Sequence, residues 1–268
     1  MNEAELTFTR VLDCDRVLLY QNRRSLLGKD KASRIASVLK RRMQGEPLQY
    51  ILGKQEFMGL EFKVTPDVLI PRPETEILVE EALKIARQLV SRPVSPLRIL
   101  DMGTGSGCVA VSLAKLLPGA EIEAVDISRD ALRIAKENAR LNNVRIHFIE
   151  GDLFSAFSFQ LSAYSLIISN PPYIPTGEID GLQVEIGYEP KIALDGGKDG
   201  LDFYRRLIAQ APPFLRPGGE LIMEMGAGQL ERISELLHRS RELELTEVVK
   251  DYSRLDRIIA ARKVDKNG

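Results

Sequence analysis

From residue 98 onward, short apolar runs alternate with longer amphipathic stretches, and this limits the fold more than any other feature of the chain. Residues 98–102, 121–126, 144–150, 164–169 and 219–225 read as strands. Residues 106–116, 129–141, 201–214 and 229–240 carry helical spacing. Such alternation implies a mainly parallel, doubly wound α/β sheet with helices on both faces. Two further strands, 243–250 and 257–263, are joined by a segment too short for a helical crossover. They are expected to close the seven-stranded sheet as an antiparallel hairpin.

The fourth of these strands ends in Asn170-Pro171-Pro172-Tyr173. In an open α/β sheet the carboxyl ends of the strands are where ligands bind. Pro171 holds Asn170 extended, and Pro172 does the same to Pro171, whose own φ is fixed by its ring. The Asn170 amide and the Pro171 carbonyl are then two adjacent acceptors, with Tyr173 adding a flat apolar face. That combination suits a planar NH2 group. A proline turn closing a strand is the plain alternative. The glycine-rich stretch 174–200 follows directly and is expected to wall the substrate side.

The first strand runs into Asp101-Met102-Gly103-Thr104-Gly105-Ser106-Gly107. Alternating glycines let backbone approach a ligand closely, and the helix that follows favours a negative group at its start. The dinucleotide fingerprint would need glycine where Cys108 stands. Asp126 closes the second strand and is suited to accept from ribose hydroxyls. Asp152 follows the third strand, where it could accept from the amine of adenine. One nucleoside site explains these positions together. S-adenosylmethionine fits it better than NAD: it has no pyrophosphate, and it carries an ammonium for Asp101 and a carboxylate for the loop amides. With the strand order switching beside the first strand, the fourth lies next door and Asn170 faces the methyl donor.

Upstream the character changes. Residues 3–12, 16–27 and 31–43 read as helices, giving a small helical domain over 1–47 expected to recognise the substrate. Residues 50–53 and 56–64 read as strands, the hairpin turning at Met58-Gly59 and residues 48–70 acting as a linker. Residues 71–268 form the main domain. Leu69-Ile70-Pro71-Arg72-Pro73-Glu74-Thr75-Glu76 reads either as a well-capped helix start or as a loop shaping a pocket with Arg72. That helix runs to about Val90, and 91–96 is a Ser/Pro linker. Lys40-Arg41-Arg42 reads as a solvated helix face or as a phosphate contact.

Several function classes drop out. A net charge of −1 creates no field to recruit nucleic acid or an anionic membrane, so no stable nucleic-acid binding is expected. The first 75 residues lean basic, which permits an anionic partner there. Cys14 and Cys108 are the only cysteines and suggest neither a disulfide framework nor a zinc site; no metal is expected. No apolar run of about 18 residues is present, so no membrane span is expected. The first ten residues lack a signal-peptide pattern, so a cytoplasmic protein is expected. His147 and His238 read as structural and Cys108 as a packing residue. Gly105-Ser106-Gly107 is no nucleophile elbow, because glycine holds the nucleophile position.

Taken together, the chain resembles the release factor glutamine methyltransferases, the HemK/PrmC family of N5-glutamine methyltransferases. The resemblance covers residues 3–263. It rests on Pro47-Leu48-Gln49-Tyr50-Ile51-Leu52-Gly53, on residues 69–76, on Asp101 to Gly107, on Asn170-Pro171-Pro172-Tyr173-Ile174 and on Ala193-Leu194-Asp195-Gly196-Gly197. The tetrapeptide alone also occurs in enzymes that methylate exocyclic amines of bases, which is the alternative function. The resemblance implies a class I, Rossmann-like methyltransferase that moves a methyl group from S-adenosylmethionine to the glutamine of a Gly-Gly-Gln motif in class 1 peptide chain release factors. It implies that Asn170 and Pro171, with Pro172 and Tyr173 beside them, hold the substrate amide. Gly103, Thr104, Gly105, Ser106, Gly107 and Asp126 would bind the cofactor. Either Leu153 or Phe154 would pack on adenine. Family members often carry further helices ahead of the stretch at residue 3.

Overall fold

A computed structural model of the protein describes residues 2–90, 96–157 and 164–264, so the 91–96 linker falls outside it except for its last residue. Among the described residues a seven-stranded sheet forms the centre. Its strands are β3 (Arg98–Met102), β4 (Glu121–Asp126), β5 (His147–Glu150), β6 (Tyr164–Ser169), β7 (Leu215–Glu224), β8 (Leu243–Lys250) and β9 (Asp256–Lys263). They lie in the order β5-β4-β3-β6-β7-β9-β8. The first five are mutually parallel, while β9 runs antiparallel to both β7 and β8. The chain leaves β3 outward through β4 and β5, then returns to β6 on the other side of β3. That reversal opens a crevice above the carboxyl ends of β3 and β6.

Strand periodicity sorts the core into two layers. Ile99, Leu166, Ile168, Ile222 and Ile258 point to one face, under α5 (Pro73–Val90) and α6 (Cys108–Leu116). Leu100, Met102, Ile167, Met223 and Ile259 point to the other, under α8 (Asp202–Gln210) and α9 (Leu230–Ser240). All six residues of β6 are buried, as a central parallel strand requires. Each large aliphatic side chain so buried contributes about 1.5–3 kcal/mol. The helix α7 (Arg129–Leu141) covers β4 and β5, and its Ala131 and Ile134 meet Tyr50, Val64, Val68 and Ile70.

The N-terminal helices α1 (Glu3–Leu12) and α3 (Lys29–Met43) share a small core around Val11, Ile35, Val38 and Leu48, while α2 (Arg16–Gln21) buries none of its residues. A capping box opens α1: the Asn2 side chain accepts from the Glu5 N–H at 2.8 Å, and Glu5 accepts from the Asn2 N–H at 3.3 Å. The hairpin β1 (Lys54–Phe57) and β2 (Leu60–Lys63) turns at Met58-Gly59 as expected, with positive φ at both residues. Glu76 holds the Met58 N–H at 2.6 Å, which steadies methionine in that conformation.

Several boundaries differ from the sequence reading; the strand read at 144–150, for one, forms only over His147–Glu150. Residues 50–53 are not a strand: α4 (Leu48–Leu52) is helical, framed by Pro47 and by Gly53 in the left-handed region. Those end signals outweigh the β-preference of Tyr50 and Ile51. The helix α2 stops at Gln21 rather than residue 27, because Leu26 beyond it has nothing to pack on and is fully exposed. The helix α8 stops at Gln210, just ahead of Pro212-Pro213. Finally, β7 begins at Leu215, a register shift opposite Tyr164 and Leu166 absorbing Pro217-Gly218.

Candidate active site

The loop 103–107 is built by its glycines. Gly103, Gly105 and Gly107 all have positive φ, which other residues adopt only at a cost. At Gly103 and Gly105 an added Cβ would meet nothing within 4 Å, because it would project into the open crevice. Gly107 serves packing instead: a Cβ there would come within 3.0 Å of Ala135 on α7. The Gly103 and Thr104 N–H groups both donate to the Val125 carbonyl at 2.9 Å, binding the loop to the end of β4.

Asp101 lies beneath this loop rather than in the crevice wall. Its carboxylate accepts from the Thr104 hydroxyl at 2.6 Å and from the Ala110 N–H at 3.2 Å, and burial pushes it up to about 7. Thr104 and Ser106 are buried with it. Asp101, Thr104, Ser106 and Gly107 therefore hold the loop in shape, while Gly103 and Gly105 reach the crevice. Cys108, also buried, is pushed up to about 12 by burial, which suits packing and not nucleophilic work.

The crevice encloses about 210 Å³ and is lined by Gly103, Gly105, Asp126, Asp152, Leu153 and Asn170 among others. Asp126 accepts from the Gly105 N–H at 2.8 Å and from the Ser128 N–H at 2.9 Å. Burial raises its pKa and those two donors oppose the rise. Leu153 lines the crevice, whereas Phe154 stacks on Phe214 at 4.7 Å in the core. Two contributors from α8 were missed by sequence reasoning. Phe203 forms part of the wall, and Arg206 pairs with Asp152 at 2.8 Å. Nothing in a helical pattern marks which turn of α8 meets a crevice.

These residues fit S-adenosylmethionine. Two carboxylates at successive strand ends match ribose hydroxyls and an exocyclic amine, and Val68, Leu153 and Phe203 give an apolar seat. The bare backbone at Gly103 and Gly105 admits a close neighbour.

A smaller chamber of about 110 Å³ adjoins the crevice, lined by Leu69, Arg72, Asn170, Pro171, Tyr173, Ile174, Ile186, Ala193 and Leu194. Leu69, Asn170 and Ala193 line both spaces, and Pro172 lines the larger one. Asn170 Nδ2 donates to Thr75 Oγ1 at 3.1 Å, and the Thr75 hydroxyl donates to Glu224 Oε2 at 2.7 Å. Burial pushes Tyr173 up to about 12, so its phenol stays protonated. Gln229 donates to the Tyr173 carbonyl at 2.9 Å. Gly196 lies against this turn so closely that a Cβ would fall 2.8 Å from the Tyr173 Cα and 2.9 Å from the Pro172 carbonyl oxygen.

The insertion after Tyr173 folds back through a bridge between Ile174 and Asp195 and supplies Ile186, Ala193 and Leu194 to the chamber. Its Glu189 accepts both contacts of Arg72. Residues 69–76 thus both start α5 and shape the pocket. The insertion also touches the N-terminal helices, where Tyr188 donates to the Gln44 carbonyl at 3.0 Å and Arg42 pairs with Glu185. Arg41 pairs with Glu46, so Arg41 and Arg42 are committed to carboxylates of the chain itself.

Comparison with known proteins agrees with this architecture. Residues 1–53 match a family model described as PrmC N-terminal domain, and residues 81–184 match one described as Methyltransferase small domain. A release factor glutamine methyltransferase of Geobacter sulfurreducens is 44% identical over 97% of this chain and 88% of its own length. One of Thermodesulfovibrio yellowstonii is 40% identical over 98% of this chain and 92% of its own. A solved methyltransferase from Pyrococcus furiosus shares the fold, with a TM-score of 0.56 at 16% identity over 89% of this chain and 100% of that one. With identity of that order running through both the helical N-terminal part and the crevice-bearing sheet, the chain belongs to the release factor glutamine methyltransferase family.

Proposed function

We propose that this protein transfers a methyl group from S-adenosylmethionine to the side-chain nitrogen of the glutamine in a Gly-Gly-Gln motif of class 1 peptide chain release factors. One observation carries the reading of the site: Asn170 lines both the crevice and the adjoining chamber, so a group held in one meets a group held in the other at this residue. The name shared by the relatives supplies the partner.

When bound, S-adenosylmethionine supplies a methyl group activated by its positively charged sulfur. Asp126 would hold the ribose and Asp152 the adenine amine, with Leu153 and Phe203 against the ring. Gly103 and Gly105 would border its amino-acid end. In the adjoining chamber the Asn170 side-chain oxygen and the Pro171 carbonyl would accept the two N–H groups of the substrate amide. A carboxamide nitrogen is a poor nucleophile because its lone pair is delocalised. Fixing both N–H groups turns that lone pair toward the crevice, and such positioning can supply roughly 7–11 kcal/mol. The methylated nitrogen then sheds its proton readily, so no strong base is required. Tyr173 and Arg72 border the chamber, and the half-buried Tyr173 ring would help keep it dry.

Residues 1–47 would contribute to partner recognition, 48–70 would link them to the main domain of 71–268, and the protein would act in the cytoplasm. No helix of the described residues is long and apolar enough to cross a membrane. The test is mass spectrometry of a release factor after incubation with the protein and S-adenosylmethionine, with ribosomal RNA in a parallel reaction. A gain of one methyl on the Gly-Gly-Gln peptide is expected. Methylation of the RNA with the release factor untouched would overturn the assignment.

A further inference from the structure

The proposed reaction needs an acceptor at Asn170, yet a carboxamide can present either its oxygen or its NH2 to the chamber. What sets the choice lies behind it, in a buried chain that joins three distant parts of the sequence. Glu224, at the end of β7, is 1% exposed. Its Oε2 receives the hydroxyl of Thr75, which is 3% exposed, and Thr75 Oγ1 in turn receives Nδ2 of Asn170.

A hydroxyl has one proton to give, while a charged carboxylate can only accept. With Glu224 charged, the Thr75 proton is committed to it, and Thr75 can offer Asn170 nothing but a lone pair. The Asn170 NH2 must then face Thr75, and its oxygen faces the chamber. If Glu224 takes up a proton, its own O–H can donate to Thr75. The Thr75 hydroxyl is then free to donate to the Asn170 oxygen, and the amide can turn over. NH2 would then face the N–H groups of the incoming amide, leaving donors opposed to donors.

We propose that Thr75 and Glu224 are positioning residues for methyl transfer, and that the charge on Glu224 fixes which end of the Asn170 amide meets the substrate. The inference rests on the reading of Asn170 given above. Several charged or titratable groups surround Glu224. Arg72 and Glu74 lie near the start of α5, Cys108 on α6, Tyr173 after β6, Tyr204 on α8 and Arg257 on β9. Arg72 is bonded to Glu189 and Arg257 to Asp251, so both of these cations are engaged elsewhere. Tyr204 donates to the Glu224 backbone carbonyl at 2.9 Å and leaves the carboxylate to Thr75. Burial pushes Glu224 up to about 7, so the amide should lose its fixed orientation as the pH falls through neutrality.

The test is steady-state kinetics with S-adenosylmethionine and a release factor on either side of neutral pH, with the cofactor dissociation constant measured for every variant. Thr75→Val should lower kcat about tenfold or more with little change in KM or cofactor affinity, and Thr75→Ser should recover most of the loss. On an Asn170→Ala background Thr75→Val should cost nothing further. Glu224→Gln should abolish the acid limb of the kcat profile. Wild-type turnover in Thr75→Val, or an unchanged acid limb in Glu224→Gln, would overturn the proposal. If Thr75→Val no longer binds cofactor, the Glu224→Gln profile decides alone. Should Asn170→Ala itself turn over normally, the reading of the site fails. Should Asn170→Ala collapse while Thr75→Val does not, only the positioning role fails.

Discussion

The Arg72 guanidinium contacts both carboxylate oxygens of Glu189 at 2.7 Å, tying the start of α5 to the insertion that walls the smaller chamber. The Glu189 side chain is 1% exposed and that of Arg72 34%, so removing the arginine strands a buried charge. Arg72→Ala is expected to cost roughly 2 kcal/mol, below the range for a fully buried pair because Arg72 keeps contact with water. Denaturant unfolding measures that cost. Proteolytic cutting within 174–200 should also accelerate, and an uncut insertion would mean that other contacts hold it.

Asp126 both shapes the glycine loop and faces the crevice. Asp126→Ala removes the acceptor for the Gly105 N–H along with the proposed ribose contact. We expect S-adenosylmethionine to bind roughly 10–100-fold more weakly, as for the loss of one or two charge-assisted hydrogen bonds. Titration calorimetry reports this directly. An unchanged dissociation constant contradicts the ribose assignment.

Phe203 supplies an aromatic wall that Phe154 cannot, because Phe154 is stacked on Phe214. Phe203→Ala should weaken cofactor binding by about tenfold, and Phe154→Ala should mainly lower stability, by about 3 kcal/mol. Cofactor titrations and melting curves of the two variants separate these effects. The opposite pattern would put Phe154 against the ring.

What the sequence made legible follows from local periodicity. The buried run of β6 next to the Asn170 turn, and the alternation around it, carried the sheet, its switch point and the antiparallel closing pair. Gly103 and Gly105 were legible because a strand-to-helix turn with such spacing exposes backbone. Asp101 was read as a crevice residue because an acid before a glycine loop carries no mark of which side of the loop it will face. The Thr75–Glu224 bond spans 149 residues, and no local pattern joins a helix start to the end of a later strand. The Pro47 and Gly53 signals for α4 were present, but β-branched and aromatic residues between them suggested a strand.

Asn170→Ala tests the centre of the reading. Loss of one preorganised polar group is expected to lower turnover by roughly 10²–10³. Cofactor affinity should change little, since Asp126, Asp152 and the glycine loop remain. Single-turnover rates at saturating S-adenosylmethionine provide the measurement, and near-normal turnover would remove Asn170 from the mechanism.

Stability should depend on pH in an unusual direction. Asp101 and Glu224 are each pushed up to about 7 by burial, and Glu81, Asp126 and Glu189 are also raised by burial. The folded protein therefore keeps protons that the unfolded chain releases between the ordinary carboxylate range and neutrality. Where the folded state binds more protons, unfolding free energy falls as pH rises. The stabilisation from Asp101 and Glu224 is complete below the ordinary carboxylate range and is lost as pH climbs through about 7, and that from Glu81, Asp126 and Glu189 is lost in the same direction. Asp199 works the other way, held at about 2 first by its hydrogen bonds to Arg205, and loses its contribution only in strong acid. Without S-adenosylmethionine, the melting temperature should be highest in mild acid and decline toward neutral pH. Glu224→Gln should flatten that decline by removing one of the groups responsible. A melting temperature that climbs steadily from mild acid to neutrality, alike in both proteins, would show that these buried carboxylates ionise at no cost to the fold.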